Sequence, residues 1–256
     1  MTQQNVILTA AQIEQYARDG VLILRGLFGL DDLVRYRQAV DDICALVAPL
    51  ERGKPRLQIE PEQDNGQNAL RMLEPLIDLS PILKELAYDR RLLDPIEQIY
   101  GEQAYLFEDK LSYKPARVGS GFKLHQDSTY WREFSRNIIS AFVHIDDATI
   151  ENGCLQVVPG FHNRGFIAWT PEKRDHMIQD EQIANAERLM VVAKAGDVIL
   201  FHCLTPHASE PNRTDQPRRA LIFSYTPASD GDQYRFSEEV INSEYEAQRY
   251  INSPSS

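Results

Sequence analysis

The sequence predicts a mainly β fold with flanking helices, built as a sandwich or barrel. After residue 104, short apolar runs rich in β-branched residues follow one another, with glycine and proline between them. The predicted strands are 104–114, 137–145, 155–158, 189–193, 197–202 and 219–225. Strands of this number and spacing are typical of β sandwiches and barrels.

The first 103 residues predict a mainly helical region with one strand. Thr9 is a predicted N-cap, with Gln12 at the third helical position, and apolar residues recur at helical spacing over 30–47. The run 20–25 is the predicted strand, whereas 51–68 is a predicted loop. Further helices are expected at 81–88 and 92–100.

The whole chain of 256 residues is expected to form one domain. In it, a core over 104–226 follows the helical region 1–103 and precedes a C-terminal extension over 227–256. The polar segment 163–188 lies between two predicted strands, so we interpret it as an insertion or lid.

Composition excludes several classes of function. The net charge of −11 argues against a nucleic-acid surface. No run approaches the roughly 20 apolar residues that span a bilayer, and the N-terminus lacks the pattern of a signal peptide. Three cysteines are too few for a disulfide framework. We expect a cytoplasmic protein with a small-molecule partner, and the sequence specifies no oligomeric state.

The clearest chemical pattern is His125-Gln126-Asp127. In a strand, residues two apart point to the same face, so an imidazole and a carboxylate would face one metal ion. An isolated tripeptide of this kind also fits a simple hydrogen-bonded pair. A third ligand, His207, follows a predicted strand far along the chain. Two histidines and one carboxylate, with open positions opposite, are typical of non-haem Fe(II) oxygenases.

Charge balance supports a second group in the same site. Fe²⁺ and Asp127 leave one positive charge, and a bound 2-oxoglutarate dianion would reverse its sign. One arginine then makes the cluster neutral, which matters because an unpaired buried charge is costly. Arg218 begins a predicted strand after His207, and its planar guanidinium can bind a carboxylate through two bonds. Ser209 is one strand step beyond His207 and could donate to the same carboxylate.

Taken in order, these segments resemble the phytanoyl-CoA dioxygenase family, which includes ectoine hydroxylase. The resemblance rests on 19–28, 125–127, 152–162, 196–202, 207–209, Asn212 and Arg218. It implies a double-stranded β-helix, a jelly-roll or cupin-like core. It also implies Fe(II), 2-oxoglutarate and O₂ as cofactors, with His125, Asp127 and His207 as metal ligands. Arg218 and Ser209 would bind the distal carboxylate of 2-oxoglutarate.

The implied reaction is hydroxylation of an unactivated C–H bond of a small molecule, with release of succinate and CO₂. The breadth of the family suggests a role in secondary metabolism. Desaturation, epimerisation and ring formation remain open, whereas halogenation is unexpected because Asp127 is present. A non-redox cupin-like metalloenzyme and a non-catalytic ligand-binding jelly roll also remain open.

Other residues of the site are less sharply predicted. Gln126 could reach the co-substrate where its strand bends. Trp131 stands where ectoine hydroxylase has a tryptophan near its substrate, and Tyr130 and Lys110 could line the same pocket. Core packing or solvation explains these three almost as well.

The remaining histidines have structural interpretations. His202 competes with His207 as the third ligand, but the spacing to Ser209 and Arg218 favours His207. His144 is expected to be a hydrogen-bonded structural histidine, and His162 and His176 to lie in polar segments.

Overall fold

The computed structural model describes residues 6–61, 66–131, 133–167, 177–184 and 186–236. Within them, four α helices alternate with the first three strands, and their buried residues pack against the larger of two antiparallel β sheets. The helices are α1 (Ala10–Asp19), α2 (Leu30–Leu46), α3 (Pro81–Ala87) and α4 (Arg90–Tyr100). The predicted capping box of α1 is confirmed, because the Thr9 hydroxyl accepts from the Gln12 backbone and the Gln12 side chain accepts from the Thr9 backbone.

The larger sheet has seven strands in the order β1-β9-β6-β11-β4-β3-β2. Their bounds are β1 (Val21–Leu24), β2 (Leu57–Ile59), β3 (Leu70–Leu73), β4 (Ala104–Lys114), β6 (Ile139–His144), β9 (Val198–His202) and β11 (Arg218–Pro227). The smaller sheet has the order β5-β10-β7-β8. Its strands are β5 (Phe122–His125), β7 (Leu155–Val157), β8 (Leu189–Val191) and β10 (His207–Ser209). The predicted double-stranded β-helix is therefore confirmed.

Alternate residues of the central strands face opposite sides of the larger sheet, as strand geometry requires. Phe223 and Tyr225 of β11 are fully buried in the apolar cluster that contains the helices. Arg218 and Ile222 of the same strand line a cavity between the two sheets. The large core thus covers one face of this sheet and leaves the other face for the site.

The N-terminal region contains more β structure than its sequence predicts. Strands β2 and β3 lie in and after the predicted loop, so the prediction of one strand before residue 104 is wrong. These two short strands extend the larger sheet through pairing of β3 with β4. Tertiary pairing of this kind leaves little trace in local sequence. Because β1 also joins the sheet, through β9, the N-terminal region contributes to both of its edges.

The predicted insertion is described over 163–167, 177–184 and 186–188. Met177 forms an isolated bridge with His125, and the backbone of Ile178 donates to Leu124. Ile178 and Ile183 are buried with Leu124 in a small apolar cluster. These parts of the insertion therefore pack against β5. In the described residues, no helix is both long and apolar enough to cross a membrane.

Candidate metal centre and co-substrate pocket

The structure brings together the three predicted metal ligands, from two neighbouring strands and the turn that follows one of them. His125 ends β5, and His207 begins the adjacent β10 and is its register partner. Asp127 begins a 3-10 turn, Asp127–Thr129, so the prediction that the whole tripeptide lies in a strand is wrong. One ligand atom from each residue lies within 4.8 Å of the other two. The turn, rather than strand periodicity, carries the carboxylate to the histidines.

Hydrogen bonds set the orientation of both imidazoles. Nδ1 of His125 lies 2.7 Å from the Lys123 carbonyl, and Nδ1 of His207 lies 3.0 Å from the Thr205 carbonyl. A carbonyl oxygen can only accept, so each Nδ1 carries the proton and each Nε2 is left as an acceptor. The Nε2 atoms lie 3.4 and 3.5 Å from Oδ1 of Asp127. Both acceptor nitrogens therefore face the carboxylate, as ligands of one cation would.

The electrostatics of the three residues favour a bound cation. Burial by itself would raise the pKa of Asp127, but the two histidines and Lys110 outweigh burial and hold this pKa well below its usual range. Burial lowers the pKa of His125, and the neighbouring His207 lowers it further. At His207, Asp127 outweighs burial and raises the pKa, so a bound cation would take the place of a proton on that imidazole. The residues thus offer an ionised carboxylate and imidazole nitrogens in a buried place. This donor set fits Fe(II), which takes two histidines and a carboxylate on one face.

A cavity of about 60 Å³ contains this centre. Its wall includes all three ligands and, further along, Ser209 and Arg218. The other wall residues are Met72, Lys110, Ser112, Phe122, Phe142, Leu155, Ala208 and Ile222. Apart from Lys110, these were not predicted from the sequence. The alternation of β4 and β6 would have indicated Ser112 and Phe142. Met72 reaches the cavity only through pairing of β3 with β4, and Phe122 through the irregular pairing of β5 with β10.

Arg218 is the buried cation of this cavity and is only 3% exposed. One terminal nitrogen donates to the Gly153 carbonyl at 2.9 Å, while Nε–H has no acceptor among the described residues. Gly153 has a φ of +76°, and a Cβ there would lie 2.0 Å from the Glu210 carbonyl, so glycine is required. Burial lowers the pKa of Arg218 to about 10, which still leaves it a cation at neutral pH. A buried guanidinium with an unused donor fits the carboxylate of a small ligand.

Lys110 is the second cation that lines the cavity, and it is paired. Its ammonium contacts Glu108, which also accepts from Arg235. Burial would lower the pKa of Lys110, but Glu108 and Asp127 outweigh burial and raise it. The Glu108 carboxylate is fully buried, and the two cations Lys110 and Arg235 share it.

Three predicted site residues lie elsewhere. Gln126 is fully buried and donates to the carbonyls of Gly165 and Leu204, so the predicted contact with the co-substrate is not supported. Trp131 is 2% exposed and packs edge-on against Phe107, which makes it a core residue. Tyr130 is half exposed, and its ring centre lies 5.9 Å from that of His125. None of the three lines the cavity that the described residues form.

The other histidines lie apart from the metal centre. His202 accepts from the Leu204 backbone and lies against the His162 ring, with 5.4 Å between ring centres. His144 is fully buried, but neither ring nitrogen has a hydrogen-bond partner among the described residues, so the expectation of a satisfied histidine is wrong. His176 lies outside the described residues.

Comparison with known proteins agrees with this geometry. The family model for phytanoyl-CoA dioxygenase (PhyH) matches residues 16–220. The methylphosphonate hydroxylase of Gimesia maris is 29% identical over 89% of this chain and 84% of its own length. The ectoine dioxygenase of Bordetella bronchiseptica is 31% identical over 85% of this chain and 75% of its own length.

A solved structure supports the same assignment. EctD from S. alaskensis, crystallised with 2-oxoglutarate and 5-hydroxyectoine, superposes with a TM-score of 0.73 and 26% identity. The match covers 87% of this chain and 77% of that one. The chain therefore belongs to the phytanoyl-CoA dioxygenase family and is a non-haem iron dioxygenase that depends on 2-oxoglutarate.

Proposed function

We propose that His125, Asp127 and His207 bind Fe(II) and that Arg218 and Ser209 bind the distal carboxylate of 2-oxoglutarate. Iron, 2-oxoglutarate and O₂ supply the oxidation, with release of succinate and CO₂. The protein's own residues position the substrate and exclude water. The proposed outcome is hydroxylation of a small molecule that carries an anionic group.

One observation carries the assignment of the residues. A three-residue metal site and a buried arginine that has no carboxylate partner in the described part of the chain line the same cavity. A protein that used the metal alone would have no need of this arginine, since burying an unpaired cation destabilises the fold. The carboxylate of a chelating co-substrate would neutralise it.

The substrate class follows from the charges around Lys110. Glu108 contacts two cations, Lys110 and Arg235. Burial and then Glu108 raise the pKa of the nearby buried Glu74, whereas Lys110 and Arg235 lower it. Of these residues, Lys110 lines the cavity, so its ammonium can meet an anionic group of a substrate although the chain as a whole is strongly acidic. A relative that acts on methylphosphonate and another named 2-aminoethylphosphonate dioxygenase support an anionic substrate.

The proposal is tested by succinate formation from 2-oxoglutarate. Iron-loaded protein is exposed to O₂ with pairs of compounds that differ only in charge, such as alkylphosphonates and their dimethyl esters. We expect the anionic member of a pair to stimulate succinate formation and to gain one oxygen atom. Loss of two hydrogens in the product would indicate desaturation instead. If Fe(II) binds but no succinate forms with any compound, a non-redox metalloenzyme becomes the better interpretation.

Substitutions separate the roles of the residues. His207→Ala should abolish succinate formation. Lys110→Met should remove the preference for the anionic compound and leave the slow, substrate-independent reaction intact. Lys123→Met is the matched control, because this lysine lies on β5 but its side chain is exposed. Equal charge preference in the Lys110 and Lys123 variants would exclude Lys110 as the substrate contact.

The cytoplasm remains the proposed location. All three cysteines, Cys44, Cys154 and Cys203, are free thiols in the described part of the chain. Reduced cysteines are the usual state in the cytoplasm, whereas secreted proteins tend to pair them.

A further inference from the structure

His144 is a buried polar side chain that the proposed function does not use. It is fully buried at the end of β6, and both Nδ1 and Nε2 lack a hydrogen-bond partner among the described residues. A neutral imidazole carries one N–H donor and one acceptor. More than nine in ten buried polar groups are satisfied, so an unsatisfied pair on one ring calls for a missing partner.

The register of the larger sheet places His144 on the side of the cavity. His144 is two residues from Phe142, which lines the cavity, and it pairs with Ala220 of β11. Ala220 lies between Arg218 and Ile222, which also line the cavity, so all of these side chains share one face. His144 therefore occupies the row of the sheet next to Arg218.

Charge links the same two residues. Burial lowers the pKa of His144 to about 3, and the positive charge of Arg218 is the second cause, so the ring is neutral. Arg218 itself has an unused, buried Nε–H. Two neighbouring side chains with unsatisfied polar atoms on one face of the sheet indicate a polar ligand between the sheets. Within the described residues, no side chain fills that place.

We propose that His144 is a further binding residue for the co-substrate, donating its N–H to the distal carboxylate of 2-oxoglutarate beside Arg218. This inference rests on the proposed function, which assigns that carboxylate to Arg218. A neutral donor adds a hydrogen bond without a second positive charge, so the balance of Fe²⁺, Asp127, 2-oxoglutarate and Arg218 stays at zero.

The test is a binding measurement rather than turnover. Calorimetry on Mn(II)-loaded protein gives the Kd of 2-oxoglutarate and of 2-oxopentanoate, which has a methyl group in place of the distal carboxylate. A hydrogen bond to a charged group is lost in His144→Leu, so the Kd of 2-oxoglutarate should rise about tenfold or more. The Kd of 2-oxopentanoate should stay within about twofold. His144→Gln keeps an N–H donor and should recover most of the affinity.

His202→Leu is the matched control, since this half-buried histidine ends β9 and already accepts from the Leu204 backbone. The Kd of this variant for both ligands should equal that of the wild type. The proposal is overturned if His144→Leu, with an unchanged melting temperature, binds 2-oxoglutarate as tightly as wild type. It is also overturned if both ligands weaken equally, because the effect is then structural. Wild-type protein that binds Mn(II) but neither ligand would contradict the proposed function instead.

Discussion

The cavity wall has two cations, Arg218 and Lys110, and they differ in whether a carboxylate of the protein already contacts them. Arg218 is buried with an unused donor and no carboxylate partner in the described residues, whereas Lys110 already contacts the buried Glu108. An arginine without a carboxylate partner, next to a histidine with unused ring nitrogens, can bind one constant anionic ligand without displacing a group of the protein. Lys110 shares the Glu108 carboxylate with Arg235, so an anionic ligand must compete with Glu108 for the ammonium. The first arrangement suits the common co-substrate, and the second suits selection among substrates.

Both cations line the cavity that contains the metal centre, so loss of this centre should have the largest effect. Asp127→Ala removes the only charged ligand of the three and leaves two neutral imidazoles. We expect loss of succinate formation by more than about a thousandfold and loss of Fe(II) on dialysis, measured by metal analysis. Asp215→Ala is the control, because its ion pair with Arg117 is exposed and contributes little. Full iron content in the Asp127 variant would contradict the assignment of the ligands.

The second largest effect tests the part of the cavity around Arg218 and Ser209, here called the co-substrate end. Arg218→Met retains apolar volume but removes the guanidinium, and truncating a buried charge-pairing residue costs about 2–5 kcal/mol in binding. The KM for 2-oxoglutarate should therefore rise by roughly a hundredfold or more, while the ratio of rates for anionic and neutral substrates should stay unchanged. Steady-state kinetics with varied 2-oxoglutarate checks both. A variant with altered charge preference and an unchanged KM would reverse the roles of the two ends.

The part of the cavity around Lys110, here called the substrate end, can be given an unpaired cation, as at the co-substrate end, by Glu108→Gln. This change leaves Lys110 and Arg235 without their shared carboxylate. Breaking a buried pair typically costs about 3–5 kcal/mol, so the free energy of unfolding should fall by a similar amount in urea titrations. Methylphosphonate should then raise the melting temperature of the variant more than that of the wild type. If the anion stabilises both proteins equally, Lys110 is not open to anionic ligands.

The sequence indicates more residues of the co-substrate end than of the substrate end, for a physical reason. Arg218, Ser209 and the metal ligands follow from motif order and fixed spacing, because they lie in two short stretches of the chain, 125–127 and 207–218. The substrate end depends on Glu108, Arg235 and Met72, which meet only through pairing of β4 with β3 and with the C-terminal stretch. No local pattern in the sequence records such a meeting.

Side-chain orientation explains why two predicted pocket residues do not line the cavity. Trp131 was predicted from the resemblance to ectoine hydroxylase, and Gln126 from a bend in its strand. The turn that begins at Asp127 instead directs Trp131 into the cluster around Phe107, while Gln126 bonds to the backbone of Gly165 and Leu204. The alternation of a strand is predictable from sequence, whereas the direction of a side chain after a tight turn is not.

The smallest expected effect is on stability and concerns Asp109, which follows Glu108 on β4 and is fully buried. Its buried carboxylate accepts from the backbone of Leu76 and Ile77 and from the hydroxyl of Tyr234, all at 3.2–3.4 Å. Bonds of this length are weak, so burial dominates and raises the pKa of Asp109 to about 7.

The sign of the resulting pH dependence follows from linkage. An unfolded aspartate has a pKa of about 3.9, so between about pH 4 and pH 7 the folded state binds more protons. Asp109 therefore lowers stability as pH rises through this window, and its effect is constant above pH 7. Asp109→Asn removes that slope, so its stability relative to wild type should grow by up to about 1.4 kcal/mol per pH unit between pH 5 and pH 7. Urea unfolding at several pH values measures this, with Asp215→Asn as the exposed control. A constant difference across the window would mean that Asp109 is ionised in the folded protein, and that Tyr234 and the backbone donors stabilise its carboxylate more strongly than their distances indicate.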